Sequence, residues 1–349
     1  MASSFDSDER FFQLLHRAVE AGASDIHLKV GQPPAVRIRG DVVYFKTDRL
    51  TPEDTFAIAH HIAGERQQLE RIAEWDTSYL LPTGQRFRTN IYRQRATLAI
   101  VMRIIPSKIP TFEDLGLLPV YRTLAEKERG IVLVVGASGN GKSTSLASMI
   151  ADLNARKPLH IVTIEDPIEY IHEDNYSSIS QREIGTDTQT FGGALRAALR
   201  QDPDVIMVGE IRDEDTMDTA LKAAETGHLV LSTLHTPDVA RTVGRILALS
   251  PSADINELRD RISQNLQGII AQRLLPKKDN SGVVLAAEIL VASGTVRESI
   301  RRPDGNPTLK ELMERGASPY GMQTFEMHVR GMLQAGLVDR ETAKNALAI

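Results

Sequence analysis

A glycine-rich segment in the middle of the chain has the residue types that bind phosphate. Residues 136–143 read Gly-Ala-Ser-Gly-Asn-Gly-Lys-Ser and fit the pattern G-x-x-x-x-G-K-[ST] at every defined position. The glycines allow main-chain N–H groups to turn toward phosphate oxygens, and the N-terminus of the following helix adds positive potential. Lys142 can reach the β- and γ-phosphates, and the Ser143 hydroxyl can coordinate Mg²⁺. The segment therefore predicts a site for ATP or ADP with Mg²⁺. The residues predicted to bind the nucleotide are Gly136, Ser138, Gly139, Asn140, Gly141, Lys142, Ser143 and Thr144.

Carboxylates follow two apolar runs elsewhere in the chain. The run 205–208 leads through one glycine to Glu210, and the run 161–164 leads directly to Glu165. Ligands bind at the carboxyl ends of strands in open α/β sheets, so we expect both side chains near the phosphate loop. Either carboxylate could orient or deprotonate the water that hydrolysis needs. Taken alone, each could equally be a solvated turn after a core strand.

Two regions of different pattern must position these residues. Residues 1–105 combine helical spacing of apolar residues with short alternating runs, which predicts a small α+β domain. Residues 106–115 contain two prolines that bracket an extended stretch, and we expect a linker there. Residues 116–349 alternate strand, turn and helix, which predicts an α/β domain with a mostly parallel sheet and short helices from about residue 293. The predicted strands are 25–30, 35–39, 42–45, 76–81, 85–92, 97–104, 131–135, 161–164, 205–208 and 229–231. Helical stretches are predicted at 11–19, over about 53–74 and at 143–153.

Composition excludes several classes of protein. The 349 residues carry a formal net charge of -5 and 5% aromatic residues, which argues against a protein that binds mainly nucleic acid. The sequence has no cysteine, so disulfides and zinc sites with thiolate ligands are excluded. The first residues lack an apolar core, and no apolar run approaches the roughly 20 residues of a membrane helix. We expect a cytoplasmic protein without direct membrane insertion, located where ATP is available.

The motifs together resemble the four sequence boxes of the secretion ATPase superfamily. The phosphate loop resembles the Walker A box, and the Asp, Walker B and His boxes follow in order at 163–169, 204–213 and 226–235. Within the superfamily, the chain is most similar to the type IV pilus retraction ATPases over nearly its full length. Other segments that carry the similarity are 23–28, 86–88, 103–107 and 321–325.

The resemblance implies a PAS-like N-terminal domain joined to a RecA-like ATPase domain, assembled as a homohexameric ring. By analogy, Glu165 activates the attacking water and Glu210 holds Mg²⁺ through water. His235 would lie near the γ-phosphate, although the spacing of His228 and His235 alone indicates no metal site. No zinc is implied.

The resemblance also assigns a role to arginines of the N-terminal region. Arg88, Arg95 and Arg103 are similar to family positions from which arginines reach the nucleotide when the two domains close. A guanidinium group can stabilise charge on the transferring phosphoryl group. Ordinary surface charge on strands is the alternative explanation, because arginine is mostly exposed.

The implied function is mechanical. ATP binding and hydrolysis would move the two domains about the linker, with the bias supplied by different affinities of open and closed states for ATP and ADP. The ring would act on an inner-membrane platform protein from the cytoplasmic face and withdraw pilin subunits. A paralogous pilus ATPase is a further implied partner, and nucleic acid is not.

Three alternatives remain open at this point. A pilus extension or type II secretion ATPase typically has a Cys₄ zinc subdomain and a longer N-terminal extension, neither of which fits this sequence. A nucleic-acid motor would need a basic, often aromatic channel. An accessory retraction paralogue stays possible, because residues 295–300 differ from the Ala-Ile-Arg-Asn-Leu-Ile segment of retraction motors. The loop also reads Ala-Ser-Gly-Asn where Pro-Thr-Gly-Ser is commoner.

Overall fold

The computed structural model describes residues 5, 8–38, 40–64, 69–106, 108–250 and 254–348. The chain divides into two units. The first consists of Met1–Lys108 with Glu169–Ile171, and the second consists of Ile109–Ile168 with His172–Ile349.

An antiparallel sheet with the strand order β3-β2-β1-β6-β5-β4 forms the first unit. One face of the sheet packs on two helices, and apolar residues at alternate strand positions, such as Ile26, Leu28, Ile100 and Met102, form the shared core. The opposite face carries polar residues. The elements are α1 (Asp8–Glu20), β1 (Asp25–Lys29), β2 (Ala35–Ile38), β3 (Asp41–Tyr44), α2 (Pro52–Ala63), β4 (Glu74–Leu80), β5 (Arg86–Gln94) and β6 (Thr97–Ile104).

The helical stretches predicted over about residues 53–74 extend too far. Helix α2 starts at a capping box formed by Thr51 and Asp54, with Pro52 in its first turn, and it ends at Ala63. Gly64 follows with a φ of 55°, which takes the backbone out of the helical region. Residues 69–71 form a turn, and β4 already begins at Glu74.

The second unit contains a seven-stranded sheet in the order β13-β12-β7-β11-β10-β8-β9. All neighbours are parallel except the β12–β13 pair, which is antiparallel. The strands are β7 (Gly130–Val135), β8 (His160–Glu165), β9 (Ser178–Glu183), β10 (Val205–Val208), β11 (Leu229–Leu234), β12 (Leu266–Pro276) and β13 (Val283–Val291). The helices are α3 (Phe112–Leu115), α4 (Pro119–Ala125), α5 (Lys142–Asn154), α6 (Phe191–Ala198), α7 (Glu214–Glu225), α8 (Val239–Leu249), α9 (Ile255–Asn265), α10 (Gly294–Arg301), α11 (Leu309–Arg315), α12 (Phe325–Gln334) and α13 (Arg340–Leu347).

Both faces of this sheet are covered, which explains its continuous apolar strands. Every residue of β7, β10 and β11 is buried. Helices α4 and α5 pack on one face, and α6 to α9 pack on the other with the C-terminal helices. The strand predictions at 131–135, 161–164, 205–208 and 229–231 agree with β7, β8, β10 and β11, whereas β9, β12 and β13 were not predicted. Among the described helices, none combines the length and apolarity needed to cross a membrane.

Candidate functional site

The phosphate-loop sequence forms the connection between β7 and α5. Gly136 has a φ of 150°, and a Cβ atom placed there would lie 2.6 Å from the main-chain oxygen of Gln272. Gly141 is the N-cap of α5 with a left-handed φ of 75°. Between them, Ala137, Ser138 and Gly139 are exposed. The loop thus presents its backbone to solvent at the N-terminus of a 13-residue helix, which is the arrangement that binds phosphate.

Lys142 is held across the loop. Only 7% of the residue is exposed, and its Nζ donates to the main-chain oxygens of Gly136 at 2.9 Å and Ala137 at 3.1 Å. The same Nζ lies 3.5 Å from His235 Nδ1. Ser143, the next residue, is exposed. The ammonium group and the hydroxyl are therefore placed on the same loop and first helical turn, as a nucleotide with Mg²⁺ requires.

Glu165 ends β8 and is 7% exposed. Its Oε1 accepts hydrogen bonds from Thr163 Oγ1 at 2.7 Å and Gln181 Nε2 at 3.1 Å. Gln181 lies on β9, the edge strand that pairs with β8. These two donors fix the orientation of the carboxylate at the edge of the sheet where the loop also lies.

Glu210 follows β10 after one glycine, and 14% of its side chain is exposed. Arg212 Nη2 forms an ion pair with Glu210 Oε1, and this contact raises the pKa of the arginine above its ordinary value. His235 Nε2 lies 3.3 Å from Glu210 Oε2. Because a lysine only donates, these two contacts fit the tautomer in which His235 Nδ1 accepts and Nε2 carries the proton toward Glu210. His235 thus links the loop lysine to the carboxylate at the end of β10.

Strand order explains why these residues meet. Strands β7, β11, β10 and β8 are neighbours in the sheet, and each of the four site segments follows one of them. The carboxyl ends of parallel strands share one edge, so Lys142, His235, Glu210 and Glu165 are brought to that edge in this order. Asp204 lies at the other end of β10, where its Oδ2 accepts from His160 N at 2.8 Å, so its role is structural.

A cavity of about 310 Å³ adjoins the loop. Asn140 on the loop side accepts a hydrogen bond from Leu274 N of β12 at 3.1 Å. Apolar side chains and prolines provide much of the remaining wall. The lining residues are Ala137, Asn140, Pro237, Gln272, Arg273, Leu274, Leu275, Pro276, Thr342, Asn345 and Ala346.

The three arginines of the first unit are not equivalent. Arg88 on β5 and Arg103 on β6 are direct cross-strand partners and lie on the polar face of the sheet. Arg103 Nε also pairs with Asp25 Oδ1 at 2.9 Å. Arg95 lies in the turn of the β5–β6 hairpin with a φ of 50°, about 20 Å along the strand from Arg88 at the usual rise per residue. The structure brings Arg88 and Arg103 together and leaves Arg95 apart.

Four residues with direct contacts to the site residues were not singled out from the sequence as contributors. Thr163 and Gln181 hold Glu165, Arg212 pairs with Glu210, and Gln272 contacts the loop from β12. Gln181 and Gln272 lie on strands that the periodicity did not reveal. Thr163 and Arg212 lie inside the motifs, where their distance of two residues from a carboxylate is the only signal in the sequence.

These features define a P-loop ATPase: a phosphate loop on a parallel sheet and two carboxylates at strand ends. The comparisons with known proteins agree. Residues 9–335 match the family described as "Type II/IV secretion system protein". The chain belongs to this family.

Several relatives are similar over nearly their whole length. The "Type IV pilus retractation ATPase PilT" of Pseudomonas aeruginosa (strain PAO1) is 41% identical over 97% of this chain and 98% of its own. The "Type IV pilus ATPase PilU" of the same organism is 38% identical over 95% of this chain and 87% of its own. These matches confirm the resemblance to pilus retraction ATPases.

Solved structures agree with the fold. A crystal structure of the "Pilus Retraction Motor PilT and Bound ADP" superposes with a TM-score of 0.89 at 44% identity and covers 96% of both chains. The Legionella pneumophila ATPase DotB gives a TM-score of 0.79 at 28% identity, with 97% of this chain and 95% of DotB covered. The α/β architecture with its two sheets is therefore that of the PilT-like ATPases.

Proposed function

We propose that the protein is an ATP-hydrolysing motor that drives type IV pilus retraction, and thus twitching motility. The observation that carries this proposal is the convergence of the phosphate loop, Glu165, Glu210 and His235 at one edge of the second sheet. The names of the relatives support the biological role, since one is a pilus retraction ATPase and another, from Neisseria gonorrhoeae, is a "Twitching motility protein".

The loop residues fit a magnesium nucleotide. The backbone from Gly136 to Gly141 and the N-terminus of α5 would hold the phosphates, and Lys142 would exchange its carbonyl contacts for phosphate oxygens. Ser143 would coordinate Mg²⁺, which when bound neutralises charge on the phosphate oxygens, and Glu210 would hold it through water. Mg²⁺ fits a site with few protein ligands, because it keeps several waters.

We assign general-base function to Glu165. The donors Thr163 and Gln181 both bind its Oε1, and they would fix the carboxylate so that it can accept a proton from the attacking water. His235 would lie near the γ-phosphate, because its Nδ1 faces the same lysine that the phosphate would contact. The cavity of about 310 Å³ beside Asn140 would accept the nucleoside.

We propose that Arg88 and Arg103 stabilise charge on the transferring phosphoryl group. Like charges directly opposite each other on a sheet are destabilising, and a bound anion would relieve this repulsion. Asp25 offsets the charge of Arg103 only in part, since the arginine side chain stays 65% exposed. Arg95 is the third arginine of the proposal and would act at a different point, given its place at the hairpin turn.

The domain organisation that we propose is a PAS-like domain at 1–105, a linker at 106–115 and a RecA-like ATPase domain at 116–349. The active form would be a homohexamer at the cytoplasmic face of the inner membrane. Its partners would be the membrane platform protein and a paralogous pilus ATPase. The existence of the related PilU protein supports an accessory pairing of this kind.

Two experiments test the proposal. Purified protein should hydrolyse ATP. Lys142→Ala should abolish nucleotide binding, because it removes the ammonium group that contacts the loop backbone at Gly136 and Ala137. Deletion of the gene should give hyperpiliated, immotile cells. Bald cells would assign extension instead, and normal hydrolysis by the Lys142→Ala protein would refute the site.

A further inference from the structure

Strand β12 supports the phosphate loop at three points. The main-chain oxygen of Gln272 lies against Gly136, so closely that a Cβ atom there would be 2.6 Å away. The N–H group of Leu274 donates to Asn140 Oδ1 at 3.1 Å. Beyond the loop, Gln272 Nε2 donates to Ser145 Oγ in the first turn of α5 at 2.8 Å. Contacts from one strand thus reach the start of the loop, its middle and the helix that follows it.

The Gln272 side chain places a polar amide in a buried position, and this lowers the stability of the fold. The residue is fully buried, and its amide nitrogen also donates to the hydroxyl of Tyr121 on α4 at 2.9 Å. Burial raises the pKa of Tyr121, so this hydroxyl stays protonated and neutral. Gln272 Oε1 is buried without a hydrogen-bond partner among the described residues. An unsatisfied buried acceptor lowers stability, and an apolar residue of the same length would avoid this cost.

Helix α4 is itself fastened to the phosphate-loop helix. Arg122, next to Tyr121, binds both carboxylate oxygens of Asp152 on α5, with the shortest contact at 2.8 Å from Nη2. Such bidentate pairs fix geometry as well as adding energy. The amide of Gln272 therefore joins β12 to two helices that are also bonded to each other.

We propose that Gln272 is a positioning residue that sets the place of the phosphate loop and of the first turn of α5. The inference rests on the proposed binding of nucleotide by the loop. Gln272 contacts the loop backbone and Ser145, and it acts on the nucleotide through these groups. The unsatisfied Oε1 lowers the stability of the fold. In return, the phosphate-binding backbone is ordered before the ligand arrives, which raises the affinity for the ligand.

The test compares binding with stability in the full chain. Gln272→Met keeps the length of the side chain and removes both donated hydrogen bonds. We expect its dissociation constant for ADP with Mg²⁺, measured by fluorescence with a labelled ADP, to rise about tenfold, which is about 1.4 kcal/mol. Its unfolding midpoint in urea should change little, because the cost of leaving the Tyr121 and Ser145 hydroxyls without this donor is set against the removal of the unsatisfied Oε1. A substitution that acted only through the core would lower stability and affinity together.

A matched pair of serines supplies the control. Ser145→Ala should weaken ADP binding about threefold. Ser299→Ala should not change it, although it removes a similarly buried hydroxyl, which lies on α10 and donates to Pro307 O at 2.9 Å. In the double variant of Gln272 and Ser145, the two losses should not add, because both substitutions remove the hydrogen bond between these two side chains.

The outcomes separate the inference from the proposed function. If the unmodified protein does not bind ADP, the proposed nucleotide site is wrong. Binding by Gln272→Met as tight as that of the unmodified protein overturns the positioning role, and so does an equal loss in Ser299→Ala. If Gln272→Met does not fold, the test uses Tyr121→Phe instead, because this substitution removes only one hydroxyl. Unchanged affinity for ADP in both Tyr121→Phe and Ser145→Ala would then overturn the inference.

Discussion

Replacement of Glu165 by glutamine separates nucleotide binding from hydrolysis. The two side chains have almost the same shape, and the carbonyl oxygen of the amide can still accept from Thr163 Oγ1 and Gln181 Nε2. The substitution therefore keeps the hydrogen bonds that hold the side chain at the end of β8. What it removes is the ability to take a proton from water.

The size of the effect follows from this difference. A positioned general base contributes about 10²- to 10⁴-fold to a rate. Because the contacts of Oε1 are preserved, we expect kcat to fall by at least about 100-fold while the affinity for ATP changes less than about threefold. Loss of stability should be small, since the buried position keeps its two donors.

Single-turnover hydrolysis and equilibrium binding of a labelled ATP, measured on the same preparation, check both halves of the prediction. Glu173→Gln provides the control, because this glutamate lies in the segment after β8 and is exposed. Hydrolysis by Glu165→Gln at the rate of the unmodified protein would show that Glu165 is not the base. Loss of ATP binding in parallel with turnover would show instead that the carboxylate holds the nucleotide.

Two further predictions concern the arginine pair and pH. Arg88→Ala should lower kcat by about tenfold or more and leave the oligomers and the unfolding midpoint unchanged. The control is Arg49→Ala, which replaces an exposed arginine and should leave kcat and the unfolding midpoint unchanged. Equal activity of the two variants would count against the arginine proposal. Burial lowers the pKa of His172 to about 4, below its ordinary 6.5, so the folded chain favours the neutral ring and loses stability as the pH falls from 6.5 toward 4. Between pH 8 and pH 5 the free energy of unfolding of the unmodified protein should fall by about 2 kcal/mol more than that of His172→Asn. Urea denaturation at each pH measures the difference. An equal pH dependence in the two proteins would show that His172 is not its source.

Much of the site was predictable from the sequence because its residues are local in the chain. The phosphate loop needs a strand, a turn with glycines at fixed positions and a helix, and all three lie within 130–154. Glu165 directly follows an apolar run and Glu210 follows one after a single glycine, and such runs predict buried parallel strands. The positions of these carboxylates at one sheet edge followed from general rules about parallel strands.

The parts that were missed have weaker local signals. Strand β9 has exposed and half-buried residues at five of its six positions, so no apolar run marks it, yet it carries Gln181. The helical stretches predicted over about 53–74 ran past Gly64, although a glycine is a common end of a helix. Arg88 and Arg103 are 15 positions apart in the sequence, and only the β5–β6 hairpin register makes them neighbours.

The sequence by itself predicted the chemistry: a lysine and glycines for phosphate, a serine for Mg²⁺, and carboxylates placed after buried strands. These signals depend on the residue types and spacing within single segments, where backbone and side-chain preferences act over a few residues. Tertiary structure alone decided which groups hold them in place. Gln181 pairs with Glu165, His235 bridges Lys142 to Glu210, and Gln272 reaches the loop from 127 residues beyond Ser145. Such contacts depend on strand order and register, which a linear pattern does not specify.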